Sequence, residues 1–121
     1  MKRKLLVVDD EIGFADYVQA VALDMGFEVA TLTDSRRFEE TFDAFTPDMI
    51  VLDIVMPEVD GIEIVRLLAR KGSRTRILLV SGYTPNYATA AQAIAEASGV
   101  FKVERLNKPT PLIELRQALA P

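Results

Sequence analysis

The chain contains no cysteine and no histidine among its 121 residues. Without cysteine it can form no disulfide, no thiolate metal site and no thiol nucleophile. Without histidine it has no imidazole zinc ligand, no Ser/His/Asp or Cys/His triad, and no side chain that could itself carry phosphohistidine. The side chains left for chemistry are carboxylates, hydroxyls and amines.

The chain also lacks an excess of positive charge and any long apolar run. Its 14 basic and 18 acidic residues give a net charge of −4, so we expect no direct nucleic-acid partner. The apolar run after the basic N-terminus, residues 5–8, stops at two aspartates. Because a secretory signal needs about 7 to 15 apolar residues and a membrane span about 20, we expect a cytoplasmic protein with no membrane contact.

Length and composition are those of one globular domain. Hydrophobic residues make up 50% of the chain and charged residues 26%. A chain of this length typically forms one core. We therefore predict a single domain over residues 1–121, with no linker and no attached output domain.

Short apolar runs alternate with segments of helical spacing. The runs at residues 5–8, 49–52 and 77–80 are rich in β-branched residues, which is typical of strands buried on both faces. Two more polar segments, 28–32 and 100–106, are predicted as edge strands. Apolar residues recur every three or four positions after each strand, which predicts five helices, the fourth over about residues 87–97.

This alternation predicts an α/β fold with a parallel sheet and helices on both faces. Three interior and two edge strands favour the order 2-1-3-4-5, the flavodoxin-like doubly wound arrangement. In that arrangement, ligands bind beyond the carboxyl ends of the strands, where the first and third strands diverge.

Polar side chains follow four of the predicted strands. Asp9 and Asp10 follow the first strand, Asp53 the third and Ser81 the fourth, and Lys108 comes shortly after the fifth. Taken singly, each has an ordinary explanation, such as a helix N-cap, a turn residue or a solvated lysine. Together they place three carboxylates at one sheet edge, where they repel one another unless a cation is present.

A hard divalent cation suits these ligands. Mg²⁺ prefers oxygen ligands, typically takes one or two carboxylates, and keeps its other positions for water and substrate phosphate. With Lys108 it would form an anion pocket for a phosphoryl group. A carboxylate is the expected nucleophile, because the chain has no histidine or cysteine and Ser81 has no base to activate it.

Four stretches resemble the receiver domains of bacterial two-component response regulators, in particular single-domain receivers of the chemotaxis type. They are Leu-Val-Val-Asp-Asp-Glu (6–11), Asp-Ile-Val-Met-Pro-Glu-Val-Asp-Gly (53–61), Val-Ser-Gly-Tyr (80–83) and Asn-Lys-Pro (107–109). The resemblance covers the whole chain, and the stretch at 53–61 is the most specific of the four.

The resemblance implies a regulatory phosphoacceptor that is not an enzyme in its own right. Asp53 would accept the phosphoryl group, while Ser81 and Lys108 would contact it after transfer. Asp10, Asp53 and the backbone carbonyl of Val55 would bind Mg²⁺, and Asp9 would act through a metal-bound water. A cis bond before Pro109 is also implied.

The same resemblance suggests the partners. The donor would be phosphohistidine on a sensor histidine kinase or a histidine phosphotransfer protein, and an unknown protein would receive the output. The sequence also leaves open a homodimer through the fourth and fifth helices. One departure concerns signalling, because Arg105 stands where receivers usually carry an aromatic ring, so we predict an arginine that is exposed or paired with Glu96 or Glu104.

Three alternatives remain open. A phosphorylation-independent interaction module could share the fold, but it would be expected to have lost an acid or the lysine. An aspartyl-nucleophile, Mg²⁺-dependent phosphatase of the haloacid-dehalogenase type would want Asp-x-Asp after the first strand, where this chain has Glu11 two residues after Asp9. A flavodoxin would need a loop that accepts FMN phosphate, which Asp-Asp-Glu would repel.

Overall fold

The computed structural model describes residues 2–56, 59–82, 89, 92, 93, 96 and 102–121. Strands and helices alternate along the chain. The strands are β1 (Lys4–Val8), β2 (Glu28–Leu32), β3 (Met49–Asp53), β4 (Arg76–Ser81) and β5 (Val103–Asn107). The helices are α1 (Ile12–Asp24), α2 (Phe38–Phe45), α3 (Gly61–Arg70) and α4 (Leu112–Leu119), and a 3₁₀ turn, Ser35–Arg37, precedes α2.

The five strands form one parallel sheet in the order β2-β1-β3-β4-β5. This confirms the predicted strand order, including the two edge strands. The strand boundaries differ from the prediction mainly at the carboxyl ends. Asp53 and Ser81 belong to their strands because Asp53 is still paired with Val80, and Ser81 with Asn107.

The interior strands bury both of their faces, as the apolar runs predicted. On one face, alternate strand residues such as Leu6, Ile50 and Leu79 pack with α2 and α3. On the other face, residues such as Leu5, Val51 and Leu78 pack with α1 and α4. Each fully buried aliphatic side chain stabilises the fold by about 1.5 to 3 kcal/mol, so the two layers fix the strand register firmly.

Local sequence signals begin and end the helices. The Asp34 carboxylate accepts a hydrogen bond from the backbone N–H of Arg36, which makes it the N-cap of the 3₁₀ turn before α2. Gly26 follows α1 with φ of +91°, a conformation that glycine adopts without a steric penalty. None of the helices in the described part of the chain has both the length and the apolar character that a bilayer crossing requires.

The predicted fourth helix, residues 87–97, lies mostly outside the described residues. Four of its residues are described, Thr89, Gln92, Ala93 and Glu96, and all four are helical. The amide of Gln92 donates to Glu96 one turn later at 3.0 Å, a spacing typical of helix surfaces. The first two residues of the predicted fifth strand, 100 and 101, also lie outside the described residues.

Arg76 anchors the C-terminal end of α4 to the sheet. From the first position of β4, its guanidinium donates to the carbonyls of Ala118 and Ala120, each at 3.0 Å, and pairs with Glu104 on β5. The last carbonyls of a helix have no intrahelical partner and carry partial negative charge, so a cation there is favourable. Arg76 therefore links β4, β5 and α4.

Replacing Arg76 with methionine should lower the free energy of unfolding by about 2 kcal/mol, because charge-assisted hydrogen bonds to α4 are lost. Urea denaturation measures the change. Arg116→Met is the control, since the Arg116 ion pair with Asp24 is solvent-exposed and should contribute less than about 1 kcal/mol. Equal losses in both variants would contradict the anchoring role.

Candidate functional site

The parallel register brings the predicted site residues to one edge of the sheet. Asp9 directly follows β1, Asp53 ends β3, Ser81 ends β4, and Lys108 directly follows β5. These positions are separated widely in the sequence, and they meet because the carboxyl ends of parallel strands share one edge. Asp10 lies beside them on the exposed loop after β1.

Asp9 is fully buried and holds the loop after β1. One of its carboxylate oxygens accepts a hydrogen bond from the backbone N–H of Glu11 at 2.8 Å, and the other lies 2.9 Å from Lys108 Nζ. The N-cap of α1 is Glu11, whose side chain makes no capping hydrogen bond. Asp9 therefore shapes the turn before the helix without being its N-cap.

Asp53 lies at the centre of the edge and is 6% exposed. Its Oδ1 accepts a long hydrogen bond of 3.4 Å from the backbone N–H of Val55, and its Oδ2 lies 3.5 Å from Lys108 Nζ. The first residue of α3, Gly61, lies against the main chain of Asp53 and Ile54. A Cβ on Gly61 would lie 2.9 Å from the Asp53 carbonyl oxygen and 2.6 Å from Ile54 Cα, so only glycine fits there.

Lys108 is the cation of the site. Its side chain is 15% exposed, and its ammonium lies 2.9 Å from Asp9, 3.5 Å from Asp53 and 3.7 Å from Glu11. Its backbone N–H donates to the Ser81 carbonyl at 3.0 Å, which ties the loop after β5 to β4. The bond between Lys108 and Pro109 is cis, as the resemblance implied.

Ser81 and Val55 lie beside the charged groups. Ser81 is 8% exposed at the end of β4, one strand away from Asp53. The exposed Val55 follows Asp53 in the turn after β3, where its N–H is bonded to the Asp53 carboxylate. Their predicted roles, a hydroxyl for the phosphoryl group and a carbonyl for the metal, stay predictions.

Burial and mutual repulsion perturb the acids. Desolvation, followed by the charge of Asp9, raises the pKa of Asp53 to about 7, although Lys108 opposes the change. Burial also raises the pKa of Asp9, against the opposing effects of Lys108 and the Glu11 N–H. For Lys108, burial alone would lower the pKa, but its hydrogen bond to Asp9 and the charge of Asp53 give a net increase.

The three acids fit a hard divalent cation. Asp9, Asp10 and Asp53 each offer a carboxylate oxygen, and these atoms lie within 4.8 Å of one another. With all three ionised, one lysine leaves an excess of negative charge. That excess, together with the all-oxygen donor set, suits Mg²⁺ better than a metal that prefers nitrogen or sulfur.

Three neighbours of the site were not singled out from the sequence. In the sequence, Glu11 and Gly61 are members of the motifs at 6–11 and 53–61, and Phe14 is one of the regularly spaced apolar residues after the first strand. The ring of Phe14 lies beneath Lys108, with 4.7 Å between Nζ and the ring centroid. Asp10 lies on the loop before α1, outside the helix, so sequence spacing gives no signal for this contact.

Arg105 is exposed on the edge strand β5, in agreement with the prediction of a surface arginine. Of the two alternatives, exposure is the one observed, and Glu104 pairs with Arg76 instead of Arg105. In the described part of the chain, Glu96 does not form an ion pair with Arg105 either.

The metal-free protein should lose stability as the pH rises from about 5.5 to about 7.5, by roughly 1 to 2 kcal/mol. The pKa of Asp53 is raised in the folded state, so over this interval the folded protein holds a proton that the unfolded chain has released. Urea denaturation in the presence of a chelator at several pH values measures the slope.

Asp53→Asn should flatten this slope and should be more stable than wild type near neutral pH. Asp43→Asn is the control, because Asp43 is an exposed acid paired with Lys71 and should leave the slope unchanged. A wild-type slope that persists unaltered in Asp53→Asn would show that Asp53 is not the perturbed acid.

Comparison with known proteins agrees with this geometry. The profile of the response regulator receiver domain family matches residues 5–120. The chain is 33% identical over 81 residues to the alkaline phosphatase synthesis transcriptional regulatory protein PhoP of Bacillus subtilis, a match covering 67% of this chain and 34% of that protein. It is 35% identical over 114 residues to RcaC of Microchaete diplosiphon, covering 93% of this chain and 17% of RcaC. The chain thus spans about a third or less of the length of these relatives.

Solved structures resemble the whole fold. A response regulator from Colwellia psychrerythraea superposes with a TM-score of 0.83 at 27% identity, covering 98% of this chain and 94% of that one. The chemotaxis protein CheY4 of Vibrio cholerae gives the same TM-score and identity, covering 98% and 97%. The chain therefore belongs to the response regulator receiver domain family and is a signal receiver of the two-component type.

Proposed function

We propose that residues 1–121 act as one cytoplasmic receiver domain whose phosphoacceptor is Asp53. The phosphoryl donor is a phosphohistidine on a sensor histidine kinase or a histidine phosphotransfer protein. The phosphorylated domain then controls a downstream protein partner that remains to be identified. Self-association through the predicted helix at 87–97 and α4, which is the fifth predicted helix, remains a prediction. Most of residues 87–97 lie outside the described part of the chain.

The environment of Asp53 is the observation that carries this proposal. Asp9 has one oxygen committed to the Glu11 N–H at 2.8 Å and the other close to Lys108 at 2.9 Å. Asp53 instead has a long bond of 3.4 Å at one oxygen and a lysine 3.5 Å from the other. Of the two buried carboxylates, Asp53 therefore has the lone pairs more available for attack on phosphorus.

The transfer needs a deprotonated Asp53. A carboxylate oxygen attacks phosphorus, the bond from phosphorus to the donor imidazole nitrogen breaks, and that nitrogen keeps the electron pair and takes a proton. Lys108 and the Ser81 hydroxyl would contact oxygens of the arriving group, and stabilisation of this kind is the main contribution that proteins make to phosphoryl transfer.

Asp10, Asp53 and the Val55 carbonyl would hold Mg²⁺, with Asp9 acting through a water. The bound cation would supply positive charge that favours the ionised form of Asp53 and neutralises charge on the phosphoryl oxygens. The chain's own residues then orient the acceptor and exclude bulk water, since Asp53 is 6% exposed.

The domain acts as a regulatory switch that assists its own phosphorylation and dephosphorylation and turns over no separate substrate. Neither the phosphatase alternative nor the phosphorylation-independent module is favoured by a specific feature of the site. Steady-state hydrolysis of a phosphomonoester would identify a phosphatase. A domain that takes no phosphoryl group but still binds its partner would identify an interaction module.

Incubation with acetyl phosphate and Mg²⁺ should add one phosphoryl group to the wild-type protein, because a small donor needs only the pocket described. Asp53→Asn should abolish the addition, whereas Asp43→Asn, an exposed acid away from the site, should leave it intact. Intact-mass spectrometry distinguishes these outcomes. Equal phosphorylation of wild type and Asp53→Asn would overturn the assignment.

Mg²⁺ should stabilise the wild-type protein, because a ligand that binds only the folded state raises its stability by about 1.4 kcal/mol at ten times its Kd. Asp10→Asn should remove most of this gain, since Asp10 is the exposed acid of the cluster and would bind the metal directly. Thermal denaturation with and without Mg²⁺ measures both. If Asp10→Asn responds to Mg²⁺ as wild type does, Asp10 is not a ligand.

A further inference from the structure

The ammonium of Lys108 has an aromatic neighbour as well as acidic ones. Its nitrogen lies 4.7 Å from the centroid of the Phe14 ring, within the range in which a cation is attracted to the face of an aromatic ring. Phe14 is 7% exposed, and the Lys108 side chain is 15% exposed. Because water is largely excluded from both groups, the attraction is weakly screened.

The ring contributes something that another carboxylate could not. It attracts positive charge through its π-electron face and carries no net charge, so it adds nothing to the excess of negative charge around Asp9 and Asp53. The ammonium has three N–H donors and no acceptor, and its contact with the ring uses none of the carboxylate oxygens that accept from it. A leucine of similar size would fill the space without this attraction.

Phe14 is itself held in place through α1. Its ring meets the ring of Tyr17 edge to face, with centroids 6.2 Å apart. The Tyr17 hydroxyl donates to the carbonyl of Thr110 at 2.9 Å, and the Thr110 hydroxyl donates to the carbonyl of Asn107. Because Thr110 comes two residues after Lys108, α1 contacts both the side chain of the lysine and the loop that carries it.

We propose that Phe14 is a positioning residue that holds the Lys108 ammonium at the acids, ready to contact the phosphoryl group. The lysine side chain has four rotatable bonds, and an unrestrained one would lose more conformational entropy on each transfer. The role in transfer rests on the proposed function of Asp53. The restraint of Lys108 itself does not depend on that function.

Fluorinated phenylalanines at position 14 test the proposal with little change in shape. Adding one, two and three fluorines progressively weakens the attraction of the ring for a cation. We expect the rate of phosphorylation by acetyl phosphate at saturating Mg²⁺ to fall stepwise, by roughly five- to thirty-fold for the trifluorinated ring. The melting temperature should fall by no more than a few degrees, because only one side-chain contact is weakened.

Position 38 provides the matched control. Phe38 is 2% exposed and stacks on Phe42 on the opposite face of the sheet, so the same fluorinated residues there should leave the rate unchanged. A rate that is flat across the series at position 14, or that falls equally for position 38, would overturn the positioning role.

A second measurement separates this proposal from the proposed function. In metal-free protein, the NMR order parameter of the Lys108 ε-methylene group should fall along the position 14 series, whether or not Asp53 accepts a phosphoryl group. If wild type is not phosphorylated but the order parameter falls, the function of Asp53 fails and the restraint by Phe14 stands. If wild type is phosphorylated and the order parameter is constant, the proposal for Phe14 fails.

Discussion

The structure depends on a conflict between burial and charge at one edge of the sheet. Asp9 and Asp53 are almost completely removed from water, and Asp10 lies within 4.8 Å of them through its carboxylate oxygen. Lys108 is the cation that contacts both buried acids, and it compensates only part of their repulsion. Burial and repulsion together raise the pKa of Asp53 to about 7, so the metal-free site is held in a state that protonation or a cation would relieve.

The remainder of the chain supplies the rigidity that keeps these groups together. Strands β1, β3 and β4 are packed on both faces, so their carboxyl ends cannot separate without exposing apolar surface. Gly61 allows α3 to begin directly against the main chain at Asp53. Arg76, at the amino end of β4, holds the C-terminal end of α4 against the sheet at the end of the strands opposite the site. Packing and hydrogen bonds away from the site thus stabilise the fold and offset the unfavourable free energy of the acid cluster.

Much of this arrangement could be predicted from the sequence, for physical reasons. Apolar runs of four β-branched and aliphatic residues identify doubly buried parallel strands, and parallel strands place whatever follows them at one edge.

Side-chain partners were harder to predict. The spacing of Phe14 is that of any apolar residue of a helix, and nothing in the sequence shows that Lys108 lies over its ring. Glu104 was offered as a partner for Arg105, but strand alternation turns neighbouring side chains to opposite faces, and Arg76 on β4 contacts Glu104 instead.

Asp53 is thus a buried acid with a raised pKa in a cluster that could hold a divalent cation. A carbon-13 NMR titration of the Asp53 carboxyl carbon, with and without Mg²⁺, tests this interpretation. We expect a pKa of about 7 for Asp53 in the metal-free protein, well above the ordinary value of 3.8, and a clear decrease when Mg²⁺ is added. An ordinary pKa in the metal-free protein, or a raised one that Mg²⁺ does not lower, would contradict it.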